Sequence, residues 1–150
     1  MNSYRHTQIG YAMLFALFII ALFYVGLYGV IAIRIGFNFD IIAVMALVLF
    51  ILASFSTLTV TIDESYLRIK FGYGIFRKKF LLKEIVSAKT VKNHWYYGWG
   101  IRLWLWPYMW VYNVSGFNAV EIITKSGKIY RIGTDVPSEL ESALKLYINT

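Results

Sequence analysis

Residues 7–33 contain no charged side chain, and after a short break residues 41–62 form a second charge-free run. A helix of about 20 apolar residues crosses the hydrocarbon core of a bilayer, so each run is long enough to span. Two such runs predict a membrane hairpin with one domain attached. A secretory signal has an apolar core of roughly 7–15 residues followed by a small-residue cleavage site. Residues 24–33 offer no such site and the first run is longer, so it reads as an anchor. The expected division is a polar leader at 1–8, helices at 9–33 and 40–56 joined by a turn at 34–39, and a domain at 57–150.

Composition agrees with a membrane protein: 15% of residues are charged, against about 25% in an ordinary soluble domain. There are no cysteines, which removes disulfides, thiolate metal sites and cysteine nucleophiles. Of the 15 Lys and Arg residues, only Arg5 and Arg34 precede Arg68. The positive-inside bias therefore places the domain, and with it the N-terminus, on the cytoplasmic side of a multi-pass protein of the cell (inner) membrane. Asp40, at the edge of the second span, reads as a helix N-cap.

The second apolar run changes period at its end. Leu58, Val60 and Ile62 alternate with Thr57, Thr59 and Thr61, a strand pattern. Alternation recurs over residues 66–73, with Arg68 and Lys70 between apolar neighbours, and further strands follow at 75–82 and 83–92. Residues 119–125 and 128–134 flank Ser126 and Gly127, a hairpin signal. A helix over 136–148 presents Leu140, Ala143, Leu144, Tyr147 and Ile148 on one face. Pro137 suits its first turn, and Asp135 or Ser138 can cap it, Ser138 with Glu141 as a capping box. Short strands followed by one amphipathic helix predict an α+β domain: a small barrel or sandwich of about seven strands, capped by the C-terminal helix.

Residues 97–102 (YGWGIR), 112–116 (YNVSG), 119–121 (AVE), 131–135 (RIGTD) and Pro137 occur in an order and spacing that resembles the bacterial pleckstrin-homology-like domains of small membrane proteins. The resemblance covers about 57–149 and implies a pleckstrin-like barrel on a membrane anchor rather than an enzyme; related domains form rings, which implies a possible homo-oligomer. In eukaryotic relatives the loop between the first two strands is basic and holds phosphates. Here that turn is Asp63, Glu64 and Ser65, so an anionic headgroup site would be built elsewhere, from Arg77, Lys78 and Lys79 or around Arg102.

All five tryptophans lie between His94 and Tyr112. From Arg102 to Tyr112 the even positions are aromatic or Arg and the odd ones aliphatic, so as one strand the segment would have an aromatic and an aliphatic face. Such a segment left wholly in water would be a large apolar patch. Three placements compete: insertion into the bilayer interface, where Trp and Tyr are favoured; docking on a membrane protein partner, since Trp, Tyr and Arg dominate binding hot spots; or packing into the barrel and against the anchor. The candidate contact residues are Trp95, Trp99, Arg102, Trp104, Trp106, Tyr108 and Trp110. Pro107 favours a tip or kink over a central strand.

No catalytic constellation is legible. Gly98 and Gly100 open no helix in a βαβ unit, so they are no nucleotide fingerprint. His94 has no Cys, and no carboxylate at ligand spacing, to complete a zinc site. Arg102, Asn113, Ser115 and Asp135 could meet as a polar cluster. The expected function is a non-catalytic binding or scaffolding module that meets membrane lipids or a membrane protein, without cofactor, metal or nucleic acid. The alternative is an accessory subunit of a transport or envelope-stress complex that acts through its spans; a third reading, a lipid-modifying enzyme, would need a water-accessible cleft with paired acid and base groups, and the sequence shows none.

Overall fold

The computed structural model describes residues 3–148. The chain opens with a strand, β1 (Tyr4–Ile9), where the sequence reads as a leader. Two helices follow, α1 (Tyr11–Ile35) and α2 (Phe39–Ala53). Seven strands then run through β2 (Thr57–Ile62), β3 (Tyr66–Phe71), β4 (Arg77–Leu81), β5 (Ile85–Lys92), β6 (Gly100–Leu105), β7 (Tyr108–Asn113) and β8 (Asn118–Thr124); β9 (Ile129–Gly133) and α3 (Pro137–Ile148) close the chain.

The strands form two sheets, ordered β1-β2-β3-β4 and β5-β8-β9-β7-β6. The result is an α+β sandwich and not a closed barrel. A single 3₁₀ turn, Leu82–Glu84, carries the chain from β4 in one sheet to β5 in the other. The count rises above seven for two reasons: β1 joins from before the helices, and the Trp-rich segment folds into its own hairpin, β6–β7.

Alternation builds the core. Leu58, Val60 and Ile62 of β2 and Leu67, Ile69 and Phe71 of β3 face Tyr112, Val120, Ile122 and Ile132 of the second sheet, with Leu140 and Leu144 of α3 sealing one side. The β8–β9 hairpin turns at Gly127 (φ 77°), whose N–H donates to the Thr124 carbonyl at 2.8 Å. β7 pairs with β9 in parallel, while β6–β7 and β8–β9 are antiparallel.

The helices leave and rejoin the domain at one point. The Gly10 N–H donates to the Ser56 carbonyl at 2.7 Å, and β1 pairs with β2 from Ile9↔Thr57 to Tyr4↔Ile62. α1 is long and apolar enough, by length and composition, to cross a membrane, and none of its residues is buried within the protein. A helix apolar all round needs an apolar surrounding. α2 has 15 residues, about 22 Å at 1.5 Å per residue, which is shorter than a span. Asn38, rather than Asp40, caps it, its side chain accepting from the Ile41 N–H at 3.2 Å. The Asn38 N–H donates to the Tyr28 hydroxyl, so α2 starts level with residue 28 and the last turns of α1 run beyond it.

Candidate functional site

The domain has two ends. At one end the helices attach: Val114 packs on Gly10, and the Gln8 amide donates to the Ser115 carbonyl at 3.1 Å. Gly72 (φ 46°) lies so close to the Ser54 carbonyl that a Cβ there would be 2.4 Å from it. The neighbouring Tyr73 ring stacks on Phe50 of α2, and its hydroxyl donates to the Phe50 carbonyl. Tyr73, Ile75 and Phe117 are exposed here, and Trp99 lies beside Phe117 with ring centroids 6.5 Å apart.

The other end carries the tip of β6–β7. The ladder runs from Gly100↔Asn113, beside the helix attachment, to Leu105↔Tyr108, about 17 Å away at 3.3 Å per residue. Trp106 and Pro107, joined by a cis peptide bond, make the turn. The reversal at this turn redistributes the aromatic side chains. Arg102 and Trp104 sit opposite Val111 and Met109, while Leu103 and Leu105 sit opposite Trp110 and Tyr108. The expected single aromatic face is therefore split between the two sides of the sheet, because a hairpin, and not one continuous strand, occupies the segment.

On the outer side, residues 94–97 fold back over the sheet. Tyr97 is buried with Met109 and Val111, and Trp104 and Ile129 pack around them. Tyr96 stacks on His94 and meets Trp104 edge-on. The Arg131 guanidinium lies 5.4 Å from the Tyr97 ring centre and donates to Glu121 at 2.8 Å. Trp104 is thus a packing residue. On the inner side Trp110 packs against the main core. Beyond it Leu103, Leu105 and Tyr108 are exposed and Trp106 is 93% exposed. These side chains form an apolar shelf at the tip of the hairpin.

The predicted contact residues therefore separate. Trp106 and Tyr108 are on the shelf; Trp95 is exposed on the 3₁₀ turn Trp95–Tyr97; Trp99 is beside Phe117; Trp104 packs, half-buried, on the outer cluster and Trp110 against the main core. Arg102 donates to the Trp99 carbonyl at 3.1 Å. Leu103 and Leu105, overlooked in the sequence because they alternate with tryptophans, are exposed on the shelf beside the aromatics.

The polar cluster does not assemble as expected. Asn113 donates to the Gly116 carbonyl and accepts from the Ser115 N–H, while Asp135 pairs with His6 of β1. Ser115 and Asp135 line one small cleft of about 220 Å³ with Gln8 and Tyr11; Arg102 does not line it. Arg77 and Lys79 face outward from the first sheet, in line with Lys70 and Arg68. Lys78 turns the other way, its ammonium 6.0 Å from the Phe80 ring centre. Among the described residues no group of three His, Cys, Asp or Glu side chains could hold a metal ion. Compared with known proteins, the chain matches no family model, no curated protein and no solved structure.

Proposed function

We propose that this protein is a membrane-anchored, non-catalytic docking module. In this reading α1 and α2 enter the bilayer together as a hairpin. The domain, a pleckstrin-like sandwich enlarged by the β6–β7 hairpin, sits against the inner surface of the cell membrane. The basic residues after Arg34 support the cytoplasmic side. Two sheets followed by one C-terminal helix support the pleckstrin-like reading.

The observation that carries the proposal is the apolar shelf of Leu103, Leu105, Trp106 and Tyr108 at the end of the domain away from the helices. A surface there points away from the bilayer, so its occupant is a protein; exposed Trp and Tyr are typical binding anchors. Trp99, Phe117, Tyr73 and Ile75, at the helix end, are the residues that meet lipid. The test is mild-detergent co-purification from native membranes, comparing wild type with Leu105→Ser/Trp106→Ser/Tyr108→Ser. A protein recovered with wild type and lost with the variant supports docking; recovery of the same proteins with both rules it out.

A second reading, an accessory subunit that works through its helices, draws support from α1 itself. It has no buried residue, and its last turns run past α2. Replacing residues 11–53 with an unrelated apolar hairpin separates the two: the docking module keeps its partner, whereas the accessory subunit loses it.

A further inference from the structure

The alternation that sends Leu58, Val60, Leu67 and Ile69 into the core turns Thr59, Thr61, Arg68 and Lys70 to the outer face of the first sheet, where Thr59 is covered by its neighbours. The ladders align Arg5, Thr61, Arg68 and Lys79 in one row, and Thr7, Thr59, Lys70 and Arg77 in the next row toward the helices. Five of the chain's 15 basic residues thus share two rows about 7 Å apart. Asp63 pairs with Arg68 at 2.9 Å through Oδ2, while its Oδ1 accepts from the backbone N–H groups of Ser65 and Tyr66, so one of the five cations is partly neutralised at the rim.

Two of the cross-strand pairs, Arg68↔Lys79 and Lys70↔Arg77, set like charges directly opposite each other. Such pairs destabilise a sheet, and local rules broken without a gain to the fold mark functional surfaces. The same side chains line a groove of about 650 Å³, with Thr59 and Thr61 among its lining residues, a size typical of small-ligand sites.

We propose that this groove binds a phosphate-bearing anion with two or more negative charges. Arg and Lys are the side chains that hold phosphate. The two rows offer two cation pairs, Arg68 with Lys79 and Lys70 with Arg77, each placed to take one phosphate. Tyr66, the aromatic beside them, already lies under Arg68 and Lys79, 5.5 Å and 5.2 Å from its ring centre. That leaves no free platform for a stacked base and disfavours nucleic acid. A soluble phosphate compound and a lipid headgroup share this chemistry. The Lys70 row lies next to Phe71 and Gly72, which touch the end of α2, so a headgroup is within reach. The site goes beyond the docking function proposed above: it lies on the other sheet and uses no residue of the shelf.

The experiment uses the full chain in phosphatidylcholine nanodiscs titrated with inorganic tripolyphosphate. In parallel, cardiolipin, whose headgroup carries two phosphodiesters, is measured as the lipid retained by the protein after extraction from an equal mixture with phosphatidylcholine. Lys70→Gln/Arg77→Gln and Arg68→Gln/Lys79→Gln are compared with the charge-matched control Lys125→Gln/Lys128→Gln. The expected result is binding of at least one probe, weakened roughly tenfold or more in both groove variants and kept in the control. Lys70→Gln/Arg77→Gln removes a like-charge pair and should melt no lower than wild type, whereas Arg68→Gln/Lys79→Gln also gives up the Asp63 ion pair and the two contacts on Tyr66 and should fold with a slightly lower melting temperature. Loss confined to tripolyphosphate assigns a soluble ligand; loss confined to cardiolipin assigns a headgroup. Wild type that binds neither probe, groove variants that keep binding, or a control that loses as much as they do would overturn the proposal.

Discussion

Single residues separate packing from contact in the Trp-rich segment. Met109 is fully buried under Tyr97, so Met109→Ala should cost about 2–5 kcal/mol. Trp106 stands in solvent, and Trp106→Ser should change stability by no more than about 0.5 kcal/mol. Chemical denaturation of the two variants in the same detergent checks both values; a destabilising Trp106→Ser would mean that the tip is structural. Gly72 combines a positive φ with close approach to the end of α2. Gly72→Ala should therefore cost about 2 kcal/mol or more, and limited proteolysis should show cleavage near residues 53–57 rising with it. Asn38 is a good capping residue one position before the helix, but Asp40, two residues on, carries an equally good capping side chain, so the sequence alone does not choose between them.

At the scale of elements, β1 is the main addition to what the sequence reveals. Its burial is only partial, with Tyr4 half-buried and Gln8 the one buried side chain. It therefore has no apolar alternation to announce it, and its order comes from the ladder with β2. Removing residues 1–9 should expose the edge of β2 and lower the melting temperature, whereas a true leader could be removed at no loss. Because β1 supplies Arg5, the groove on the first sheet was legible only in part, from Arg68, Lys70 and the basic run at residues 77–79. The strands β2, β3, β8 and β9 and the helix α3 were legible because one face of each is buried and the other is not. The β6–β7 hairpin was not, because both of its faces are apolar and Trp106 with Pro107 lacks the Gly or Asn signal of a tight turn. α3 is fastened by Glu141, which accepts from the Thr90 N–H of β5 at 2.8 Å and pairs with Lys145. The hydrogen bond from Lys145, followed by those from Thr90, lowers its carboxyl from 4.5 to about 2. A carboxyl lowered on folding stabilises the protein above its unfolded value and loses that effect as pH falls from about 4.5 toward 2. Glu141→Gln should thus melt lower than wild type at neutral pH and show a smaller drop in melting temperature over that acid range.

For the whole molecule, the proposed docking function requires one orientation: one end of the sandwich rests on the bilayer and the shelf faces away from it. The two ends are set by the shared foot of the helices at Gly10 and Ser56 and by the length of the β6–β7 ladder. The decisive measurement is fluorescence quenching by brominated phosphatidylcholine in liposomes carrying full-length single-tryptophan variants, the other tryptophans being replaced by Phe. One variant keeps Trp99, one keeps Trp106, and a third carries Phe18→Trp in α1 as the reporter of insertion. Strong quenching is expected at position 18, clear quenching of Trp99 and none of Trp106. An unquenched position 18 would contradict the membrane anchor itself. Quenching at 18 with Trp106 quenched as strongly as Trp99 would contradict the orientation and place the hairpin tip in the bilayer.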